Sequence, residues 1–452
     1  MIMKGKRKTV CVLLAVIAML TGTRLSAQES VGTLELTLKQ AIEIALAENP
    51  TIRVADKDVE LKKIADTEAW QALLPEVSAT ANLSHTLLAA EMKFNMGGQV
   101  TKVKMGRDNT NTVAAAATLN LPLFAPAVYQ NMKLTKEDIL VAKEKARGSR
   151  LDLINQVTKA FYATLLAQDA VEVMEESYKI SKDYYDVINA RFEQGRVSEY
   201  DKISAEVQMR GMNASLVQSQ TGLTLAQLQL KVLMGVTENV SIVINDRLEN
   251  YESQLVLPAE ETAGQLDGNS AMRQFDLNRA LLERTLKIQR TNFMPTLAFQ
   301  LTGQYQSLYN TDWAVWNYEY SPSASFALAL NIPIFRASNW TGLKKTKLQL
   351  SELEDTRTNT ARQLNMAAES YRKNMASTIV QVGSNHEAIR QAEKAVTISQ
   401  RRYDVGRGTV LEVNQSQASL TQARLVYNQS IYDYLTNRAD LDYTLGNEQY
   451  LK

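Results

Sequence analysis

Cysteine is almost missing from these 452 residues, and the single one, Cys11, lies in the first dozen positions. That excludes a disulfide framework and thiol chemistry from the body of the chain. Histidine occurs only at His85 and His386, too far apart and in too different a context for a metal pair, so neither a metal nor a cofactor is expected. No Gly-rich phosphate loop, nucleophile motif or pair of catalytic acids is present, which argues against an enzyme. The longest apolar run, Val10 to Leu20, is too short to cross a bilayer as a helix. Eight prolines occur, and none falls in Ala127 to Leu257 or Ile334 to Lys452, as long uninterrupted helices require.

The Val10 to Leu20 run follows Lys4, Lys6, Arg7 and Lys8 and precedes Leu25-Ser26-Ala27, so residues 1–27 read as a secretory signal. Its removal takes away five positive charges, Arg24 being the fifth, and moves the formal charge from +1 to about −4. No basic excess is left for nucleic acid. Cys11 leaves with the signal, and no cysteine follows the cut to carry a lipid.

What the chain does have is a repeat. Arg191-Phe192-Glu193-Gln194-Gly195-Arg196-Val197-Ser198 returns 211 residues later as Arg402-Tyr403-Asp404-Val405-Gly406-Arg407-Gly408-Thr409. The same offset relates Leu119-Asn120-Leu121-Pro122-Leu123-Phe124 to Leu330-Asn331-Ile332-Pro333-Ile334-Phe335, and Leu233-Met234-Gly235 to Thr444-Leu445-Gly446. A constant spacing means one structural unit built twice. The division is a signal over 1–27, a first repeat over 28–235, a linker over 236–257 and a second repeat over 258–452.

Within each repeat the hydrophobic period changes. Thr37 to Leu74 is helical, with a kink or fresh start expected at Asn49-Pro50; its counterpart runs from about Glu260 to Met294. After Pro75 and Pro295 the period becomes two, giving four strands of about a dozen residues, apolar on one side and polar or small on the other. This dyad pattern, with Tyr305, Tyr309, Trp313, Trp316, Tyr318 and Tyr320 clustered at one hairpin mouth, fits a transmembrane β-barrel better than an ordinary half-buried sheet. Four strands do not close a barrel, so closure needs several chains. The connections, about Ala89 to Asp108 and Asn310 to Tyr320, read as outward-facing loops.

The 71 residues from Phe124 to Gly195, and again from Phe335 to Gly406, form long arms of roughly 105 Å if helical. Small residues at threes and fours, such as Ala160, Ala163 and Ala167, point to coiled-coil packing. Shorter helices return from Ser198 to Met234 and from Thr409 to Leu445.

This succession resembles the TolC family of outer-membrane efflux proteins over essentially the whole mature chain. The resemblance rests on Asn49-Pro50 and Leu74-Pro75, on the Leu-Asn-Leu-Pro-Leu-Phe strand ends, and on the Arg-x-x-x-Gly-x-x-Ser/Thr turns. It implies a mainly α protein with a β-barrel part: a homotrimer whose twelve-stranded barrel sits in outer-membrane lipid and continues as a twelve-helix α-barrel through the periplasm. It further implies a periplasmic adaptor, or membrane fusion protein, and an inner-membrane pump of RND or ABC type. The function implied is a passive export duct of a tripartite efflux or type I secretion system; the alternative is an outer-membrane-anchored coiled-coil stalk or adhesin without transport.

By the same resemblance the two turns are adaptor-docking tips, carried by Arg191, Gly195, Ser198, Arg402, Gly406 and Thr409. The residues alone read equally as left-handed glycine caps followed by Ser and Thr N-caps. Asp201 and Glu412, each six residues past its glycine, are matched to a periplasmic gate of carboxylates, with Arg407 and Gln415 beside them. Acids in a first helical turn are favourable in any case. Gln415 stands where the family often has a further acid, and Gly408 where it often has a base.

Overall fold

The computed structural model describes residues 33–96, 99–236, 241–257 and 266–447. The signal expected over 1–27 lies outside the described residues, as do 237–240 of the linker and 258–265 at the start of the second repeat. The chain is mainly helical and falls into two compact units, 1–49 with 156–256 and 378–436, and 50–155 with 257–377 and 437–452.

In the first unit β1 (Thr33–Glu35) leads into α1 (Leu38–Glu48), whose start is fixed by a reciprocal Thr37–Gln40 capping box. Ala41, Ile42 and Ala45 form its buried face. Helicity stops at Asn49, whose backbone is extended, because a residue before proline is pushed out of the α region. The expected break is thus a complete one, and α2 (Pro50–Gln71) starts afresh. The Asn49 amide, buried, donates to the carbonyl of Leu233 at 2.7 Å. The returning helix α4 (Glu199–Met234) ends there on Gly235, at φ +71°.

The linker carries β6 (Ser241–Val243), parallel to β1, and a short 3₁₀ turn over Leu248–Gln254. It is strapped down by side chains of α3 (Pro126–Glu193) and α7 (Val410–Leu445). Gln168 donates to the carbonyl of Ile244, buried Tyr434 to that of Val256, and the Leu248 amide donates to Asp169 at 3.1 Å. Burial raises the Asp169 carboxyl from 3.8 to about 6, against the Leu248 amide hydrogen bond and Arg247, which lower it, and with Glu172 and Asp246 adding to the rise. A group raised on folding stabilises most below its unfolded value and loses that contribution as pH climbs through its folded one. Asp169→Asn should therefore leave stability at pH 4 unchanged and raise it at pH 7.5 by on the order of 2 kcal/mol. Parallel melting curves for the two proteins at both pH values would disprove this.

The second unit holds a four-stranded antiparallel sheet in the order β2 (Glu76–Thr86), β5 (Thr110–Phe124), β7 (Thr296–Asn310), β8 (Ser321–Asn331). Its register sorts the residues by face. Rows such as Val77, Leu119, Leu301, Phe326 lie side by side across all four strands, as do Ala79, Ala117, Gly303, Ala324. Between them run Ser78, Thr118, Thr302, Ser325 and Thr80, Ala116, Gln304, Ser323. One face is apolar and the other polar, and the apolar one is uncovered: Val77, Phe326, Leu328 and Leu330 are each more than 60% exposed. Strands β2 and β8 are the two edges.

The segment expected as a loop, Ala89 to Asp108, contains a ribbon of its own, β3 (Ala90–Met96) paired with β4 (Gln99–Met105). Its alternation is hard to see in the sequence because lysines replace the small polar residues of the main strands. In the second repeat α5 (Ser270–Thr291) starts later than the expected Glu260. Asn269 caps it, accepting from the Met272 amide, and the turn at Gly268 precedes it. The buried Asn269 amide donates to the carbonyl of Thr444 at 2.8 Å, as Asn49 does to Leu233 in the other repeat. The two long helices, α3 and α6 (Ala337–Asp404), are both 68 residues, and the returning helices α4 and α7 are both 36.

Candidate functional site

The two repeated turns lie in the first unit and are built alike. The Gly195 amide donates to Phe192 and that of Arg196 to Arg191; the Gly406 amide donates to Tyr403 and that of Arg407 to Arg402. This paired closure ends a helix only if the penultimate residue is left-handed. Both glycines are at φ +71°, with open space where a side chain would stand. The helices that follow start on hydroxyl caps. Ser198 and Asp201 form a full capping box, and the Glu412 amide donates to the Thr409 hydroxyl at 3.3 Å.

Behind the turns Ile188, Ala205 and Val410 are buried together, with Tyr184, Tyr185, Val197 and Tyr403 packed around them. This cluster joins one helical hairpin to the other. Arg191 spans the junction, pairing with Asp404 at 2.9 Å and lying 5.9 Å over the Tyr403 ring. Tyr184 meets Tyr403 edge-on at 5.8 Å, and burial raises both phenols.

The repeat symmetry is broken here. Arg402, the counterpart of Arg191, turns within its own hairpin to Glu412 at 3.3 Å and donates to the Arg407 carbonyl. The position matching Asp404 is Glu193, which accepts from Asn189 instead. Asp201 is held by Ser198, so the two candidate gate acids belong to separate networks. Gln415 and Arg407 are exposed. Gly408 lies so close that an added Cβ would sit 3.1 Å from the Cβ of Arg402 and from the Tyr403 amide. A basic side chain at that point would push on the turn.

Among the candidate residues the structure thus joins Ser198 with Asp201, and Arg402 with Glu412 and Arg407. Tyr184, Tyr403 and Asp404 were not singled out from the sequence. The sequence carries only a faint signal: Tyr403 and Asp404 replace Phe192 and Glu193 between the shared Arg191/Arg402 and Gly195/Gly406, and Gln194 and Val405 differ as well.

Comparison with known proteins gives a consistent result. TolC of Escherichia coli is 21% identical over 443 residues, 95% of this chain and 86% of that protein. The cobalt-zinc-cadmium resistance protein CzcC of Cupriavidus metallidurans is 23% identical, covering 84% and 92%. The alkaline protease secretion protein AprF of Pseudomonas aeruginosa is 21% identical, covering 91% and 84%. Among solved structures CusC superposes with a TM-score of 0.73 at 16% identity, over 93% of this chain and 95% of that one. The Campylobacter jejuni CmeC outer membrane channel gives 0.68 at 16% identity, over 93% and 90%. With residues 41–236 and 265–447 matched, spanning both repeats, the chain belongs to the outer membrane efflux protein family.

Proposed function

We propose that this protein is the outer-membrane duct of a tripartite export system, acting as a homotrimer. The observation that carries the proposal is the four-stranded sheet with one apolar and one polar face and, among the described residues, no partner strand at either edge. A bilayer tolerates no open strand edge. Edge β2 of one copy paired with β8 of the next, three times over, gives twelve strands, above the eight at which known barrels begin. The apolar rows would then face lipid and the serine, threonine and glutamine rows an aqueous lumen.

The purified protein should therefore be trimeric by mass in detergent and conduct ions in planar bilayers. A folded monomer that neither associates nor conducts would end the proposal. The helical part carries the duct onward, and the exposed turns at Gly195 and Gly406 are the surfaces for a periplasmic adaptor, itself coupled to an inner-membrane pump. Arg191, Ser198, Arg402 and Thr409 belong to that contact. The chain supplies no catalytic step; the pump supplies the energy. The relatives' names refer to metal resistance, antibiotic and toluene efflux and protease secretion, so the duct itself is compatible with small or polypeptide cargo.

Asp201 and Glu412 form the periplasmic gate in this reading, with Arg407 and Gln415 at its rim. Three chains would bring six carboxylates to one constriction, where acidic rings favour cations. Asp201→Asn with Glu412→Gln keeps size and the Ser198 cap while removing charge. The cation-over-anion permeability ratio should fall several-fold at ~10 mM salt, where the Debye length is about 30 Å, and much less at 1 M. Unchanged selectivity at low salt would reduce both acids to helix-start residues.

A further inference from the structure

We propose that the β3–β4 ribbon is a membrane-surface element: it lies flat on the bilayer, with Met92, Phe94, Val103 and Met105 among lipid chains and Lys93 and Lys102 on lipid phosphates. The inference rests on the barrel reading above and adds a lipid-binding surface to it.

The ribbon's register puts Met92 opposite Val103 and Ala90 opposite Met105, with Phe94 two residues on from Met92 along the same face. All four large apolar side chains are between 43% and 57% exposed. On the opposite face Glu91 stands against Lys104 and Lys93 against Lys102, with exposed Val100 as the exception to its polarity. Like charges directly opposed across two strands destabilise a ribbon. No carboxylate pairs with Lys93 or Lys102 among the described residues, whereas Lys104 is already held by Asp108 at 2.6 Å. An anion shared by the two lysines would turn a repulsion into a binding site.

The position of the ribbon decides which anion. It springs from the end of the sheet where Asn111 pairs with Asn310 and Trp313 stacks on His85 at 5.2 Å. Tyr309, Trp313, Trp316 and Tyr320 all lie near this end in sequence and are exposed. Exposed tryptophan and tyrosine concentrate at membrane–water interfaces. Asp108 fixes the ribbon's base, accepting from the Ala89 amide at 2.7 Å as well as from Lys104. A two-sided ribbon anchored at an interface meets acyl chains on one side and headgroups at the level of its lysines, whose stems let the ammonium reach outward.

The chain with Cys11→Ser is a cysteine-free background for spin labels. Labels would be placed through Phe94→Cys on the ribbon and Leu328→Cys on the apolar sheet face. The full-length protein would be reconstituted in nanodiscs of phosphatidylcholine alone or mixed with phosphatidylglycerol. Collisions with oxygen report lipid, and collisions with a water-soluble nickel chelate report solvent. Expected are oxygen-dominated collisions at both sites in the mixed lipid, with a several-fold loss of the oxygen preference at 94 on adding Lys93→Gln and Lys102→Gln. Position 328 should not respond to those two changes. Water exposure at 94 with lipid exposure at 328 would overturn the ribbon proposal alone. Spin–spin broadening at 94 with little collision by either reagent would mean that a second copy covers the face, and would overturn it too. Equal immersion with and without the lysines would overturn the assignment of lipid phosphate to Lys93 and Lys102, and equal immersion with and without phosphatidylglycerol would overturn a preference for net anionic headgroups. Water exposure at both positions would instead remove the barrel reading.

Discussion

Gly446→Ala should destabilise the protein far more than Gly406→Ala, although the two glycines have almost the same backbone, at φ +72° and +71°. Placing a Cβ on a left-handed residue costs roughly 1–2 kcal/mol at either position. At Gly406 nothing among the described residues lies within 4 Å of the new atom, so that strain is the whole effect. At Gly446 the Cβ would fall 2.1 Å from the carbonyl oxygen of Gly268 and 2.8 Å from the Asn269 amide. Neither is the end of a side chain that could swing away. The strain and the backbone collision add to more than about 3 kcal/mol, the range in which single changes are diagnostic. Gly235→Ala, at 2.8 Å from the Glu48 carbonyl, should fall between the two. Chemical denaturation of the four proteins side by side measures this. Equal shifts for the alanines at 446 and 406 would mean that the Gly268 turn yields without cost.

Phe326→Arg and Ser325→Arg change adjacent residues of β8 and should behave oppositely. Phe326 belongs to the apolar row with Val77, Leu119 and Leu301, stacks on Phe299 at 6.5 Å, and is 74% exposed. If that face meets lipid, an arginine there costs about 2–4 kcal/mol near the bilayer centre. Ser325 belongs to the row with Ser78, Thr118 and Thr302, where an arginine would enter water and cost little. The yield of heat-resistant trimer in membranes reads the difference. A larger loss for Ser325→Arg would invert the two faces and with them the assignment of lumen and lipid.

Much of the fold is legible in the sequence because its elements are long and their periods are clean. Over 68 residues of α3 or α6 a helical period has no competitor, and the 211-residue repeat lets one copy check the other. The main strands are equally plain, since alanine, leucine and valine alternate with serine, threonine and asparagine. The β3–β4 ribbon is not legible as strands because Glu91, Lys93, Lys102 and Lys104 mimic the composition of an exposed connection. The late start of α5 escaped for a different reason: Asn269-Ser270 is a capping signal lacking the proline that marks its counterpart, Asn49-Pro50. At the turns the glycines and caps follow from local chemistry. The junction among Arg191, Tyr403 and Asp404 does not, because the repeat equates Arg191 with Arg402, and only tertiary packing sets them to different tasks.

The two buried asparagines also bear on the order of events in folding. Each stands just before a helix and reaches a carbonyl far along the chain, 184 residues on for Asn49 and 175 residues for Asn269. Closure entropy depends only on the logarithm of loop length, so the two closures differ by less than about 0.1 kcal/mol. Neither repeat gains a head start from chain length. Local helices form within about a microsecond. The junctions wait on contacts between distant segments, and such contacts set the slow step. The Asn269 junction needs Thr444, in the last turn of α7, so a chain interrupted before that point has α5 and lacks the carbonyl that Asn269 reaches.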